Sequence, residues 1–315
     1  MTELDPSSIH PDLQSIARKL PPMTFNAKTI RLFRLLDWLN RGKKPPAGLR
    51  VEDLRILRPE GTGHIRLRLY RQGAASNAAP VLLWLHGGGY IGGKPEQDDA
   101  WCCQVARELG MGVVSVDYRC APEHPFPAAL EDSYAALRWI QSQGGAMGWD
   151  VRRIAVGGAS AGGGLAAALA QHAHDRAEIQ VRFQLLVYPM LDDRTVLRGE
   201  LAHQGQLVWT QASNRFGWES YLRQPCGAEN VPPGAVPARR ADLSGLPPAW
   251  IGVGTLDLFH DEDLAYAQRL KDCGVACDLT IVPGAFHGFD ALGTDVPIVQ
   301  DFRQTQIAVL KKMLF

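Results

Sequence analysis

From residue 80 onward, short apolar runs alternate with segments of helical periodicity, and this alternation restricts the possible folds more than any other feature. The apolar runs predict strands at Val81–Leu85, Gly112–Val116, Arg153–Val156, Gln184–Tyr188, Ala249–Val253 and Asp278–Val282. The segments between them predict helices near Asp98–Leu109, Pro127–Gln141, Ala161–Ala173 and Asp263–Cys273. Because parallel strands need long crossover connections, the pattern indicates an α/β protein with a mostly parallel central sheet and helices on both faces.

Three further segments extend this unit. Leu49–Leu57 and His64–Arg71 alternate between apolar and polar residues around a Gly61-Thr62-Gly63 turn, so they predict an antiparallel meander at the sheet edge. Gln300–Leu314 predicts a closing helix.

Two helix-like segments do not fit the alternation. The first shows amphipathic patterning within residues 11–40, and the second covers residues 195–225 and is rich in aromatic side chains. Because both flank the sheet unit, we interpret them as a helical cap over one end; two ordinary surface helices packed on the core are the alternative. The predicted organisation is a cap segment at 1–45, core at 46–194, a cap insert at 195–225 and core at 226–315.

The charge balance excludes several classes of partner. The 315 residues include 33 Lys and Arg against 33 Asp and Glu, without a Lys/Arg-rich run, which argues against nucleic acid as a partner. No apolar run approaches the roughly 18 residues of a membrane-spanning helix, and the polar, acidic start does not resemble a secretory signal. We therefore expect no stable membrane association and a cytoplasmic location.

The cysteines do not form a metal-binding pattern. They lack paired CxxC spacing with matching histidines, which argues against a zinc site and favours a reduced chain; the six are Cys102, Cys103, Cys120, Cys226, Cys273 and Cys277. We expect no metal and no organic cofactor.

A G-x-S-x-G sequence, Gly158-Ala159-Ser160-Ala161-Gly162, is the first candidate for chemistry. A predicted strand leads into it and a predicted helix follows it, which is the context of a nucleophile elbow. The small neighbours allow strand and helix to approach closely around a strained serine. A glycine-rich turn with an incidental serine is the alternative.

A second glycine-rich sequence, His86-Gly87-Gly88-Gly89-Tyr90, follows the strand Val81–Leu85. Acyl transfer places negative charge on a carbonyl oxygen, which needs preoriented N–H donors. We expect those donors at Gly87, Gly88 and Ala161. A phosphate-binding loop is the alternative, but the run lacks both G-x-G-x-x-G and a terminal GK[ST]. His86 is expected to orient the loop without transferring a proton.

A serine nucleophile needs a base and an acid that orients the base. In this topology the chain order is serine, acid, histidine, and His287 lies in a loop after the last predicted strand. The other histidines after Ser160 lie in helical segments or near the candidate acid: His172, His174, His203 and His260. Asp257 follows the strand Ala249–Val253 and is the predicted acid, with Asp192 and Asp193 as competitors.

Together these motifs resemble the hormone-sensitive-lipase-like (bacterial family IV) carboxylesterases of the α/β-hydrolase fold. The resemblance covers about residues 80–289 and includes His86–Gly89, the tract Asp117–Pro127, Gly158–Gly163, Gly254–Asp257 and Phe286–Gly288. It implies Ser160 as nucleophile, Asp257 as acid, His287 as base and an N-terminal helical cap. Ala159 departs from the pattern, because the family commonly has an acidic residue before the serine. Arg119 and Glu123 are expected to hold loops together.

The expected activity is hydrolysis of short- to medium-chain carboxylic esters through an acyl-enzyme on Ser160. Aromatic side chains of the cap and the glycine loop are expected to line the pocket for the small-molecule ester: Phe33, Trp38, Tyr90, Trp209 and Phe216. Amide or lactone hydrolysis by the same residues is one alternative, and a non-catalytic small-molecule receptor on the same fold is another. By family analogy alone, a homodimer through the C-terminal strand and helix is an expectation.

Overall fold

The computed structural model describes residues 5–21, 24–39, 48–73, 78–199, 204–293 and 295–315, except for the side chains of residue 33 and residues 36–39. Eight strands form one sheet in the order β1-β2-β4-β3-β5-β6-β7-β8. Their bounds are Leu49–Leu57 (β1), His64–Gln72 (β2), Ala79–Leu85 (β3), Gly112–Asp117 (β4), Trp149–Ala159 (β5), Phe183–Val187 (β6), Ala249–Gly254 (β7) and Cys277–Val282 (β8). β2 pairs antiparallel with β1 and β4, and the other pairings are parallel.

Helices cover both faces of the sheet. Their bounds are Pro11–Ala17 (α1), Thr29–Leu39 (α2), Asp99–Leu109 (α3), Ala128–Gln143 (α4), Ala161–Arg176 (α5), Gln211–Leu222 (α6), His260–Asp272 (α7), Phe289–Leu292 (α8) and Pro297–Leu314 (α9). Side chains of α4, α5 and α7 share one core cluster with Leu83 and Leu85 of β3, whereas those of α3 and α9 share a second cluster with Leu82 and Trp84. Successive residues of a strand point to opposite faces, so β3 is apolar throughout because both of its faces are buried.

The predicted α/β class and the antiparallel meander are confirmed, and the differences are local. β6 ends at Val187, one residue before the prediction, because Tyr188 turns out of the strand with φ 35°. α7 begins at His260 and not at Asp263, so that three acidic residues lie in its first turn, where they complement the helix dipole. Within 195–225, the described helical structure is a 3₁₀ helix at Asp193–Leu197 and α6. No described helix combines the length and apolarity needed to cross a bilayer.

The N-terminal helices lie against the loops that follow the strands. The backbone N–H of His10 donates to Gly284 O at 3.0 Å, which places the start of α1 beside the loop after β8. From α2, Arg34 donates to the carbonyls of Ile91 and Ala121 at 2.8 and 2.7 Å. Both segments therefore lie at the edge where the parallel strands end, which is where ligands bind in open α/β sheets.

Candidate active site

Ser160 stands in a tight turn between β5 and α5. The strand ends at Ala159 and the helix begins at Ala161, so the serine is the single residue between them. Its backbone has φ 59° and ψ −123°, a combination that residues with a side chain rarely adopt. The Ser160 N–H donates to Val187 O at 2.9 Å, and its carbonyl accepts from Met190 N–H at 3.0 Å. These bonds hold the strained turn against the neighbouring strand.

Glycine is needed at two positions beside this turn. A Cβ on Gly158 would collide with the carbonyl group of Gly162, and a Cβ on Gly162 would collide with the carbonyl oxygens of Leu85 and His86. Only residues without a side chain therefore let α5 approach β3 and β5 this closely.

The structure brings His287 and Asp257 to Ser160. His287 Nε2 lies 2.8 Å from Ser160 Oγ, and its Nδ1 lies 2.8 Å from Asp257 Oδ2. An ionised carboxylate only accepts hydrogen bonds, so Nδ1 carries the hydrogen and Nε2 accepts from the serine hydroxyl. Asp257 Oδ1 also accepts from Phe259 N–H at 2.9 Å. The Ser160, His287 and Asp257 side chains are all buried.

The loops after β7 and β8 are tied together, and this fixes Asp257 beside His287. Thr255 N–H donates to Val282 O at 3.1 Å, Leu256 N–H to Ala285 O at 3.0 Å, and Gly284 N–H to Thr255 Oγ1 at 2.9 Å. Because the two strands are parallel neighbours, their ends open at the same edge and the two loops meet there.

Aromatic rings surround the His287 imidazole. The Phe259 ring meets it edge-on with centroids 5.1 Å apart, and the Tyr188 ring lies at 4.8 Å with an interplanar angle of 66°. The Trp209 ring lies at 6.4 Å. The rings restrict rotation of the imidazole and keep its Nε2 directed at the serine.

The glycine loop after β3 runs beside Ser160. A Cβ on Gly87 would lie 3.4 Å from Ser160 Cβ, which measures how closely the two backbones approach. Gly88 has φ 128°, and its carbonyl accepts from the N–H groups of Ile91 and Gly92 at 3.0 and 3.1 Å. Ala161 is the first residue of α5, where a helix leaves its N–H groups without intrahelical partners. Gly87 and the start of α5 therefore lie beside Ser160, and the donor role of Gly87, Gly88 and Ala161 stays a prediction.

His86 supports the glycine loop from its first position. Its ring stacks on Tyr118 with centroids 4.1 Å apart, and its Nδ1 lies 2.9 Å from Gly87 O. The Tyr118 hydroxyl donates to His86 O at 2.6 Å. The expected orienting role of His86 fits these contacts.

Arg119 and Glu123 hold loops together as expected. Arg119 binds Asp132 through its guanidinium and its backbone N–H, and it also contacts Glu60. Glu123 accepts two hydrogen bonds from Arg34 at 2.9 Å each.

The competing acids are bound elsewhere. Asp192 accepts two hydrogen bonds from the guanidinium of Arg194, and Asp193 accepts two from that of Arg239. Both carboxylates are therefore committed to arginines.

The competing histidines have other neighbours as well. His260 lies 2.8 Å from Asp261, His172 packs against the Tyr134 ring, and His174 lies beside Gly245. His203 lies outside the described residues.

The five predicted pocket residues have different surroundings. Trp209 lies across the glycine loop, where a Cβ on Gly89 would collide with its ring. Tyr90 is buried, stacks on Tyr221 with centroids 4.1 Å apart, and joins the glycine loop to α6. Phe216 packs partly buried against the core. The side chains of Phe33 and Trp38 lie outside the described residues. Substrate contact by all five stays a prediction.

Two buried acids of α7 were not predicted as buried. Glu262 accepts from the backbone N–H groups of Leu191 and Asp192 and from the Thr195 hydroxyl, and burial raises its pKa to about 8. Burial also raises the pKa of Asp263 well above its usual value. Helical periodicity alone identifies the buried face but gives no reason for carboxyl groups to occupy it.

Two aromatic neighbours of the site were also missed. Phe259 lies two residues after Asp257, and Phe25 contacts Trp209 with ring centroids 5.6 Å apart. Phe259 could have been predicted from its position two residues after the predicted acid. No feature of the sequence pointed to Phe25. Among the described residues, no group of three or more His, Cys, Asp or Glu side chains is arranged to hold a metal ion.

Comparison with known proteins shows the family to which the chain belongs. Residues 82–291 match the family described as alpha/beta hydrolase fold. The carboxylesterase NlhH of Mycobacterium tuberculosis is 35% identical, with 100% of this chain and 99% of that protein covered. The ethyl acetate hydrolase of Pseudomonas putida is 34% identical over 78% of this chain and 77% of its own length.

Solved structures show the same relationship. A bacterial heroin esterase is 32% identical, with a TM-score of 0.90 and coverage of 98% of this chain and 99% of its own. The chain therefore belongs to the α/β-hydrolase fold family, and within it to the hormone-sensitive-lipase-like carboxylic ester hydrolases.

Proposed function

We propose that this carboxylic ester hydrolase works through an acyl-enzyme on Ser160, with His287 as the base and Asp257 as the acid that orients it. The observation that carries the proposal is the pair of 2.8 Å contacts that the imidazole makes, one to Ser160 Oγ and one to Asp257 Oδ2. A nucleophile, a base and an orienting acid in this geometry are the parts that acyl transfer requires.

The first half of the reaction forms the acyl-enzyme. Ser160 Oγ attacks the carbonyl carbon of the ester while its proton passes to His287 Nε2. Asp257 stabilises the imidazolium through the bond to Nδ1. The tetrahedral intermediate then breaks its bond to the alcohol oxygen, and the imidazolium returns the proton to that oxygen. In the second half, a water molecule attacks the acyl carbon while its proton passes to His287 Nε2. The bond to Ser160 Oγ then breaks, the serine takes the proton back, and the carboxylic acid is released.

The negative charge of the intermediate is stabilised by backbone donors. We assign this role to the N–H groups of Gly87, Gly88 and Ala161, because the glycine loop and the start of α5 both approach Ser160. Loss of one such donor typically costs about 3–4 kcal/mol of transition-state stabilisation.

The substrate is a carboxylic ester of short to medium acyl length. Trp209 lies across the glycine loop and near the imidazole, and Phe25 lies against Trp209. Aromatic walls so close to the reacting atoms leave limited length for an acyl chain. The relative named ethyl acetate hydrolase also fits a short-chain substrate.

A helical cap, formed by residues 1–45 and 195–225, contributes these walls. In support, Phe25 N–H donates to Ser213 Oγ of α6 at 2.9 Å, so the N-terminal segment and the insert contact each other. Ile30 is buried in the core, and Arg34 binds the carbonyls of the two loops beneath it.

A series of p-nitrophenyl esters in rapid-mixing experiments tests the proposal. We expect a burst of p-nitrophenol before steady turnover wherever deacylation is slower than acylation, and the highest kcat/KM with butyrate or hexanoate. Best turnover with palmitate would refute the assigned chain length. Failure to trap any acyl-enzyme by rapid acid quench and mass spectrometry would contradict the covalent mechanism.

A further inference from the structure

Tyr188 lies between the His287 imidazole and a second carboxylate, Asp290. Its hydroxyl donates to Asp290 Oδ1 at 2.5 Å, and its ring lies 4.8 Å from the imidazole. Burial raises the pKa of the Asp290 carboxyl, which accepts this hydrogen bond in either protonation state. Neither Tyr188 nor Asp290 has a part in the proposed acyl transfer.

The backbone of Tyr188 is fixed beside the nucleophile turn. Its N–H donates to Gly252 O at 2.7 Å, and the residue before it, Val187, accepts from Ser160 N–H at 2.9 Å. Tyr188 has φ 35°, which is uncommon for a residue with a side chain. Such strain persists only where surrounding contacts impose it, and here it turns the ring out of the sheet toward His287.

Asp290 is fixed from the other side. It lies in α8, three residues after His287, and its carbonyl accepts from Arg303 Nη2 of α9 at 2.9 Å. A continuous set of contacts thus runs from α9 through Asp290 and Tyr188 to the imidazole. Phe259 closes the opposite side of the ring with an edge-on contact.

We propose that Asp290 is a positioning residue that acts through Tyr188 on His287. The proposal rests on the proposed role of His287 as the base. By accepting the hydrogen bond from the tyrosine hydroxyl, Asp290 holds the aromatic ring that keeps Nε2 in line with Ser160 Oγ.

Other charged groups also face Asp290, across a cavity of about 360 Å³ that Ala159 and Tyr188 border. They come from the segment before α3, from α3 itself and from α9; they are Lys94, Glu96, Asp98, Asp99 and Arg303. Glu96 and Asp99 are bound to Arg66 and Arg68 respectively. Asp98 accepts from Trp84 Nε1 and remains the second carboxylate near Asp290.

The test compares three substitutions with a matched control. Tyr188→Phe removes the hydroxyl and keeps the ring, Asp290→Ala removes the acceptor, and Asp290→Asn keeps an acceptor oxygen but removes the charge. Asp301→Asn removes an exposed carboxylate of α9 and serves as the control. Kinetics with p-nitrophenyl butyrate from pH 5 to 9 give kcat and KM separately.

We expect Tyr188→Phe and Asp290→Ala to lower kcat about tenfold, with KM changed less than twofold, because misdirection of the imidazole affects the chemical step. Asp290→Asn should restore most of kcat. The control should leave both quantities unchanged.

Imidazole NMR gives a readout that does not depend on ester turnover. At one fixed pH, the His287 imidazole resonances should move in Tyr188→Phe and Asp290→Ala, while Asp290→Asn and Asp301→Asn leave them nearly in place. Wild-type kcat in both Tyr188→Phe and Asp290→Ala would overturn the proposal, and so would unchanged His287 resonances in both variants. If Ser160→Ala retained full activity, the proposed mechanism would fail, and that result is separate from the NMR comparison.

Discussion

His287 Nε2 lies 2.8 Å from Ser160 Oγ, although the two residues are 127 positions apart in the chain. One follows β8 and the other follows β5, with two strands between them in the sheet. The parallel arrangement brings both strand ends to one edge, and the loop after β8 extends back across that edge to the serine. The sheet thus brings His287 and Ser160 to the same edge, and the hydrogen-bonded loops after β7 and β8 orient the imidazole toward the serine.

Replacement of Asp257 with Asn should lower kcat about 10³- to 10⁴-fold. An asparagine amide directed at Nδ1 favours the wrong imidazole tautomer, so Nε2 no longer accepts the serine proton. Steady-state kinetics and a circular dichroism spectrum of each variant make the comparison.

The matched control is Asp192→Asn, which removes the competing acid bound to Arg194. We expect it to retain kcat within about threefold, as is usual for changes away from the reacting atoms. A larger loss in Asp192→Asn than in Asp257→Asn would reverse the assignment.

Gly162→Ala should destabilise the fold by about 2–4 kcal/mol, because the new methyl group collides with the carbonyl oxygens of Leu85 and His86. Gly145→Ala introduces the same methyl group into open space and should change the free energy of unfolding by less than about 0.5 kcal/mol. Urea unfolding followed by tryptophan fluorescence measures both. Equal stability of the two variants would show that the close approach of α5 to β3 is wrong.

Glu262 should make stability fall as the pH rises from about 4.5 to about 8. Burial raises its folded-state pKa to about 8, above the usual value of 4.5 that applies in the unfolded chain. The folded state therefore retains a proton that the unfolded state loses, and stability declines as pH rises through this interval. Relative to the parent, Glu262→Gln should gain on the order of 3 kcal/mol between pH 5 and pH 9.

Denaturant unfolding at both pH values checks this expectation, with the exposed Glu108→Gln as the control. A Glu262→Gln variant whose stability difference from the parent is the same at pH 5 and pH 9 would contradict the raised pKa.

Trp209→Ala should broaden the accepted acyl length. Removal of the ring that crosses the glycine loop lengthens the space beside the reacting atoms, so the ratio of kcat/KM for decanoate over butyrate should rise about tenfold. This ratio does not depend on the fraction of enzyme that is folded. An unchanged ratio would place the limit on chain length elsewhere.

The fold could be predicted from the sequence because the patterns that indicate its strands and helices are local and repeated. Apolar runs bounded by glycine and polar residues predicted six strands of the sheet, and alternating patterns predicted the other two. Gly158–Gly162 predicted the turn that holds Ser160. The candidate base and acid followed from chain order once the strands were known. Local sequence pattern and position in the chain therefore predicted these residues without knowledge of tertiary contacts.

The remaining contacts depend on tertiary structure. The sequence predicted Tyr188 as the last residue of a strand, but a positive φ turns it toward His287. The sequence pattern places Glu262 among the acidic residues at the start of a helix. In the structure it is buried, with its oxygens bound to the segment 191–195. The partners of both lie far away in the chain, so periodicity carries no information about them.

The role of Ser160 is tested most directly by intact-mass analysis after reaction with a p-nitrophenyl alkylphosphonate. The account predicts one phosphonyl adduct per chain, mapped to the peptide that contains Ser160, together with complete loss of esterase activity. It also predicts that Ser160→Ala folds normally and takes up no adduct. An adduct of the same stoichiometry on Ser160→Ala, or full activity of that variant, would contradict it.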